Sequence, residues 1–113
     1  MITTKTINNE IKDIIQTANL FKGIKRVGIF GSYARNEQTP DSDFDILFEY
    51  YYKNDIDNGI DDTLKYLNII EENLNKYLSG TKIDFISYNG VLDSDNNELK
   101  QNILNDVYWV YEN

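Results

Sequence analysis

The chain contains no cysteine, no histidine and only one proline among its 113 residues. Without cysteine there is no disulfide framework, thiolate zinc site or cysteine nucleophile, a composition suited to a reducing compartment, and cytoplasmic placement is expected. Without histidine, Ser-His-Asp and Cys-His catalysis, His-ligated zinc and imidazole proton transfer at neutral pH are excluded. Basic residues are also few. The 11 Lys and Arg against 19 Asp and Glu give a formal charge of −8, a field that repels polynucleotides, so direct nucleic-acid binding is not expected. No apolar run approaches the ~18 residues of a membrane span. Met1 is followed by polar residues and not by a basic flank and an apolar stretch, so neither a membrane segment nor a secretory leader is expected. Chemistry is left to carboxylates, hydroxyls, Lys, Arg and a metal held by oxygen.

At this length one domain with a single modest core is expected, spanning residues 1–113. Ile7, Ile11, Ile14, Ile15 and Ala18 recur at helical spacing, predicting an amphipathic helix from about residue 5 to 20 that Gly23 ends. Ile24 to Phe30, bounded by Gly23 and Gly31, reads as a first strand. Ser32 is placed to cap a short helix through Tyr33, Ala34 and Arg35. Thr39-Pro40-Asp41-Ser42 is turn chemistry, and Asp43 to about Tyr50 returns to a strand pattern. Tyr51 to Gly59 is expected to be a loop. Ile60, Leu64, Leu67, Ile70, Leu74 and Leu78 then predict a helix over about 60–78, stopped by Gly80. Lys82 to Tyr88 reads as a third strand, about 95–105 as a helix, and Val107 to Tyr111 as a last strand. Strands alternating with helices imply a small α/β layer structure without linker or repeat.

Two features carry chemistry. Gly31-Ser32 follows an apolar strand, where a small-residue turn brings backbone N–H groups close to an anion such as phosphate. Asp43 and Asp45 alternate along the next strand, so both carboxylates face one way while Phe44 and Ile46 face the other. Side by side they repel, and a divalent cation removes that cost. Magnesium prefers oxygen donors and completes its shell with water and phosphates. Asp84, flanked by apolar neighbours in the third strand, would supply a third carboxylate for a two-metal arrangement and accept the proton of an attacking hydroxyl. Asp-x-Asp after a turn is usually a solvated strand start, and Gly-Ser alone says little. Gly31-Ser32, ten residues, then Asp43-x-Asp45 arises by chance on the order of once per thousand chains of this length.

This pattern resembles the minimal nucleotidyltransferases of the DNA polymerase beta-like superfamily, over about residues 24 to 88. Gly31-Ser32-Tyr33-Ala34-Arg35 and Ser42-Asp43-Phe44-Asp45-Ile46-Leu47 are similar to the family's two signature segments. The resemblance implies a small mixed β-sheet with helices packed on it. It implies that Gly31 and Ser32 hold the triphosphate of ATP, that Arg35 contacts phosphate or a partner, and that Asp43, Asp45 and Asp84 bind Mg2+ as catalytic carboxylates. Asn36 stands where relatives commonly carry glycine, a position where Asn tolerates the left-handed backbone. Stand-alone proteins of this size are similar to the antitoxin of a two-gene module whose toxin is a HEPN ribonuclease. That likeness implies a hetero-oligomer and transfer of AMP from ATP to a toxin tyrosine. A non-catalytic antitoxin that acts by binding alone, and nucleotidyl transfer to a small molecule, are the alternatives.

The remaining features have plainer expectations. Tyr108, Trp109 and Tyr111 fit strand packing, and Tyr50 to Tyr52 are as consistent with an interface. Asp55, Asp57, Asp61 and Asp62 resemble a calcium loop only loosely, since Tyr66 stands at the twelfth position. They are expected to be a solvated loop, and Lys22, Lys25 and Arg26 solvated strand flanks.

Overall fold

The computed structural model describes residues 4–52, 59–78 and 80–113. Four strands form one mixed sheet: β1 (Ile24–Phe30), β2 (Phe44–Tyr50), β3 (Ile83–Ser87) and β4 (Tyr108–Glu112), in the order β3-β2-β1-β4. β1 pairs antiparallel with both β2 and β4. β2 and β3 run parallel, which requires a crossover, here α2 (Gly59–Tyr77). The carboxylate strand is thus internal to the sheet. It is buried from both sides, with Phe44, Ile46, Leu47, Phe48 and Glu49 all buried.

Helices cover both faces. α1 (Thr4–Ile15), the 3₁₀ segment Gln16–Leu20 and α2 lie on one face. There Ile11, Ile15, Ala18, Val27, Ile29, Phe44, Ile46, Tyr66, Ile70 and Leu74 form the main core. On the other face α3 (Tyr88–Leu92) and α4 (Asn97–Asp106) enclose a smaller cluster of Leu47, Tyr88, Val91 and Ile103, with Trp109 packed against it. Alternation in β2 explains the division. Phe44 and Ile46 enter the main core while Asp45 and Leu47 turn to the α3/α4 side.

The first helix is shorter than its apolar period suggested, because the last five residues tighten into 3₁₀. α3 was not anticipated. It is one short turn, capped by Ser87 accepting from the Gly90 N–H, too brief to show periodicity. The buried stripe of α2 runs through Tyr66, Ile70 and Leu74, while Leu64 is 53% exposed. Tyr66 wins that place because its hydroxyl donates to the carbonyl of Ile15 at 2.8 Å, joining the two helices with the phenol fully buried. Burial holds that hydroxyl neutral, with its pKa raised far above the usual tyrosine range.

Most of the Tyr51–Gly59 loop, with Asp55 and Asp57, lies outside the described residues. Asp61 and Asp62 instead occupy the first turn of α2, where carboxylates favour the helix dipole. Asp62 also accepts from the N–H of Gly23 at 2.7 Å. Arg26 is not a solvated flank. Its Nε donates to Glu49 at 2.8 Å, and the guanidinium lies 4.2 Å from the Trp109 ring centroid and 4.9 Å from that of Tyr88. Antiparallel pairing places Arg26 directly opposite Glu49, a relation that local sequence does not express. Of the C-terminal aromatics, Trp109 and Tyr111 pack as expected and Tyr108 is exposed.

Candidate active site at the end of the central strands

Gly31 ends β1 with φ +77°, and Asn36 closes the following turn with φ +60°. Between them the Arg35 N–H donates to the Gly31 carbonyl at 3.1 Å and the Glu37 N–H to the Ser32 carbonyl at 2.9 Å. This is a single tight turn and not the short helix expected from Ser32, since the left-handed Asn36 stops propagation. Asn36 therefore supplies the left-handed backbone that the turn needs. Tyr33 anchors the turn. Its buried ring packs edge-on against Phe44, with centroids 4.9 Å apart.

The turn before β2 is also built as expected. Ser42 Oγ accepts from the Thr39 N–H at 2.8 Å, and the Ser42 N–H donates to the Thr39 carbonyl at 3.0 Å. Asp43 then lies exposed at the strand entrance and Asp45 is half-buried one step in. Asp45 is in register with Asp84 across the parallel pair, where neighbouring strands are about 4.8 Å apart. The Phe44 N–H, donating to the Lys82 carbonyl at 2.8 Å, extends that pairing to the strand start. Asp45 and Asp84 are thus neighbours at one end of β2 and β3, Asp43 precedes them at the strand entrance, and Gly31 closes on Asp45. A methyl group on Gly31 would sit 2.7 Å from Asp45 Oδ2.

The electrostatics follow from this crowding. Desolvation, then the charges of Asp84 and Asp43, raise the pKa of the Asp45 carboxyl, with Lys82 opposing. Lys82 Nζ lies 3.5 Å from Asp84 Oδ1, a neighbour that Asp84's apolar flanks did not single out. Among the described residues no three acidic side chains converge into a ready-made metal cage. The donor set is nonetheless one of hard oxygens whose mutual repulsion a divalent cation offsets, so it fits magnesium chemically. Arg35 faces elsewhere: its Nη1 pairs with Asp106 at 2.5 Å and its Nε with Glu37 at 3.2 Å. Beyond the turn lies a cavity of about 220 Å³ lined by Lys12, Ile29, Tyr33, Ala34 and Tyr108. It opens on the main-core side, whereas Asp45 faces α3 and α4.

The sequence profile of the nucleotidyltransferase domain matches residues 9–110. The chain belongs to the nucleotidyltransferase domain family. Two relatives from Methanocaldococcus jannaschii, each named as a candidate protein adenylyltransferase, are 39% and 40% identical to this nucleotidyltransferase. The first alignment covers 94% of this chain and 99% of the relative, the second 88% and 92%. Among solved structures, a candidate minimal nucleotidyltransferase superposes with a TM-score of 0.63 at 23% identity, covering 93% of each chain. A toxin-antitoxin crystallised with AMP-PNP superposes with a TM-score of 0.56 at 21% identity, over 93% of this chain and 74% of that one. Both establish the fold of this nucleotidyltransferase. Among the described residues no helix is long and apolar enough to cross a membrane.

Gly31→Ala tests the closure of the site. The left-handed backbone strains a Cβ by roughly 1–2 kcal/mol, and the methyl must displace the Asp45 carboxylate. The expected result is a lowered Tm together with a larger loss of nucleotidyl transfer than the stability change accounts for. Retention of full activity would show that Asp45 has room to move without consequence.

Proposed function

We propose that this nucleotidyltransferase transfers AMP from ATP to a tyrosine hydroxyl of a HEPN ribonuclease toxin and thereby silences it. The observation that carries the reading is the in-register pair Asp45 and Asp84 beside Asp43, closed by Gly31. In this reading Asp43 and Asp45 would hold Mg2+, with Asp84 as the ligand that a second ion would take. Such ions, when bound, would supply charge neutralisation for the triphosphate and a lowered pKa for the attacking hydroxyl. Gly31 and Ser32 offer the triphosphate a close backbone approach. The tyrosine oxygen forms a bond to the α-phosphorus, the bond from that phosphorus to the pyrophosphate oxygen breaks, and pyrophosphate leaves. The hydroxyl proton passes to a carboxylate oxygen of Asp84.

The names of the archaeal relatives support a protein acceptor, and the toxin-antitoxin with the same fold supports a toxin as that acceptor. The test is to incubate the protein with ATP, magnesium and the product of the adjacent gene, then weigh that product by mass spectrometry. A mass increase of one or more AMP units, located on tyrosine and dependent on magnesium, is expected. An unchanged mass under conditions where the two proteins bind would leave a binding antitoxin as the better description.

A further inference from the structure

Arg35 projects from the turn that faces the carboxylates, yet its guanidinium is held by two carboxylates of its own chain. Nη1 pairs with Asp106, 71 residues away, and Nε with Glu37. Asp106 is the last residue of α4, and Tyr108, two residues later, pairs with Ile29, two residues before Gly31. The ion pair therefore ties the turn to the segment that enters β4. The turn has its apolar anchors in Tyr33 on Phe44 and Ala34 against the main core, and Arg35 supplies a polar anchor next to them.

We infer that Arg35 is a positioning residue, clasped by Asp106, which holds the Gly31–Asn36 turn against Asp45 rather than contacting phosphate. The inference rests on the proposed transfer reaction for its kinetic consequence and on the ion pair alone for its structural one. An exposed ion pair usually contributes little to global stability and weakens in salt. Its role here is local geometry, because the turn carries the backbone that must meet the triphosphate. Small misplacements of such groups cost rate out of proportion to stability.

The test compares wild type, Arg35→Ala, Asp106→Asn and the double variant, with Arg35→Lys as the conservative change. Arg35 is exposed and Asp106 partly so, so the fold should tolerate the loss of either side chain. Three quantities are read: kcat for transfer, KM for ATP, and hydrogen exchange of the amides of residues 32–36 in the unliganded protein. Each single variant is expected to lose roughly 10- to 100-fold in kcat with KM for ATP nearly unchanged, and to exchange those amides faster. The double variant should be no worse than Arg35→Ala, which already removes the contact with Asp106. Arg35→Lys keeps the charge and should recover part of the rate.

If Asp106→Asn behaves as wild type while Arg35→Ala raises KM for ATP, Arg35 is a phosphate contact and the clasp is refuted. If neither variant changes rate or exchange, the ion pair is a surface contact only, which also refutes it. Failure of the wild type to modify any protein would overturn the proposed function instead. The exchange comparison would still decide the clasp.

Discussion

Asp45→Asn is expected to remove nucleotidyl transfer and, in the absence of nucleotide and metal, to make the protein more heat-stable. Loss of partners that merely orient a metal's ligands typically costs 10- to 100-fold, so loss of a proposed ligand should exceed about 100-fold. The stability gain follows from the environment of this carboxyl. Desolvation and the charges of Asp84 and Asp43 raise its folded-state pKa above the unfolded value. A carboxyl shifted upward stabilises the fold when protonated, below its unfolded pKa, and that contribution is lost as pH rises through the folded value. At neutral pH the ionised Asp45 therefore opposes folding. Asn keeps the shape and removes the charge. The Tm advantage of Asp45→Asn over wild type should be absent in acid, grow as pH rises through the raised pKa, and then level off. Thermal melts across that range, paired with an AMP-transfer assay at neutral pH, check both halves. A variant that loses activity and also melts earlier than wild type at neutral pH would mean that Asp45 serves the fold and not a site built at the fold's expense.

Phe44→Ala is expected to have the largest effect on stability. Phe44 is fully buried in the main core and meets Tyr33 edge-on. Truncating such a ring costs about 3–5 kcal/mol through lost burial and the cavity left behind, a large part of the ~5–15 kcal/mol that holds a domain together. For a chain of this length the Tm should fall by about 10–20 °C. Function suffers by a second route. Phe44 sits between Asp43 and Asp45, and its ring supports Tyr33 of the turn, so one cavity loosens both halves of the site. Phe44→Leu refills most of the volume and should recover most of the Tm. Differential scanning calorimetry measures this directly. A fall of only a few degrees for the alanine variant would show that the turn and strand are held mainly by backbone pairing.

Much of the architecture is legible in local pattern. β1 occupies the predicted residues, and β2, β3, β4 and α4 begin and end within two residues of expectation. Their signals are short-range: β-branched runs, turn chemistry and glycine at helix ends. The mixed sheet with packed helices expected from the family resemblance is the sheet observed. Local pattern failed where a long-range contact overrode it. Tyr66 displaced Leu64 from the core stripe through its bond to Ile15, and Arg26 left solvent for Glu49 and Trp109.

The candidate site divides in the same way. Gly31, Ser32, Asp43 and Asp45 stand at fixed spacing along one stretch, and strand alternation already places the two carboxylates on one face. The sequence by itself determined that pair, the phosphate-suited turn, and the oxygen-only chemistry left by the absence of His and Cys. Tertiary structure decided what meets the pair. Asp84 is opposite Asp45 only because α2 carries the chain across to a parallel β3 in that register. Gly31 touches Asp45 only because β1 runs antiparallel to β2 with Phe30 opposite that residue. Arg35 finds Asp106 only because β4 closes the far edge of the sheet. Side-chain alternation is set by the backbone of each strand alone. Strand neighbours and register are set by which apolar faces can be buried together, and that depends on the whole chain.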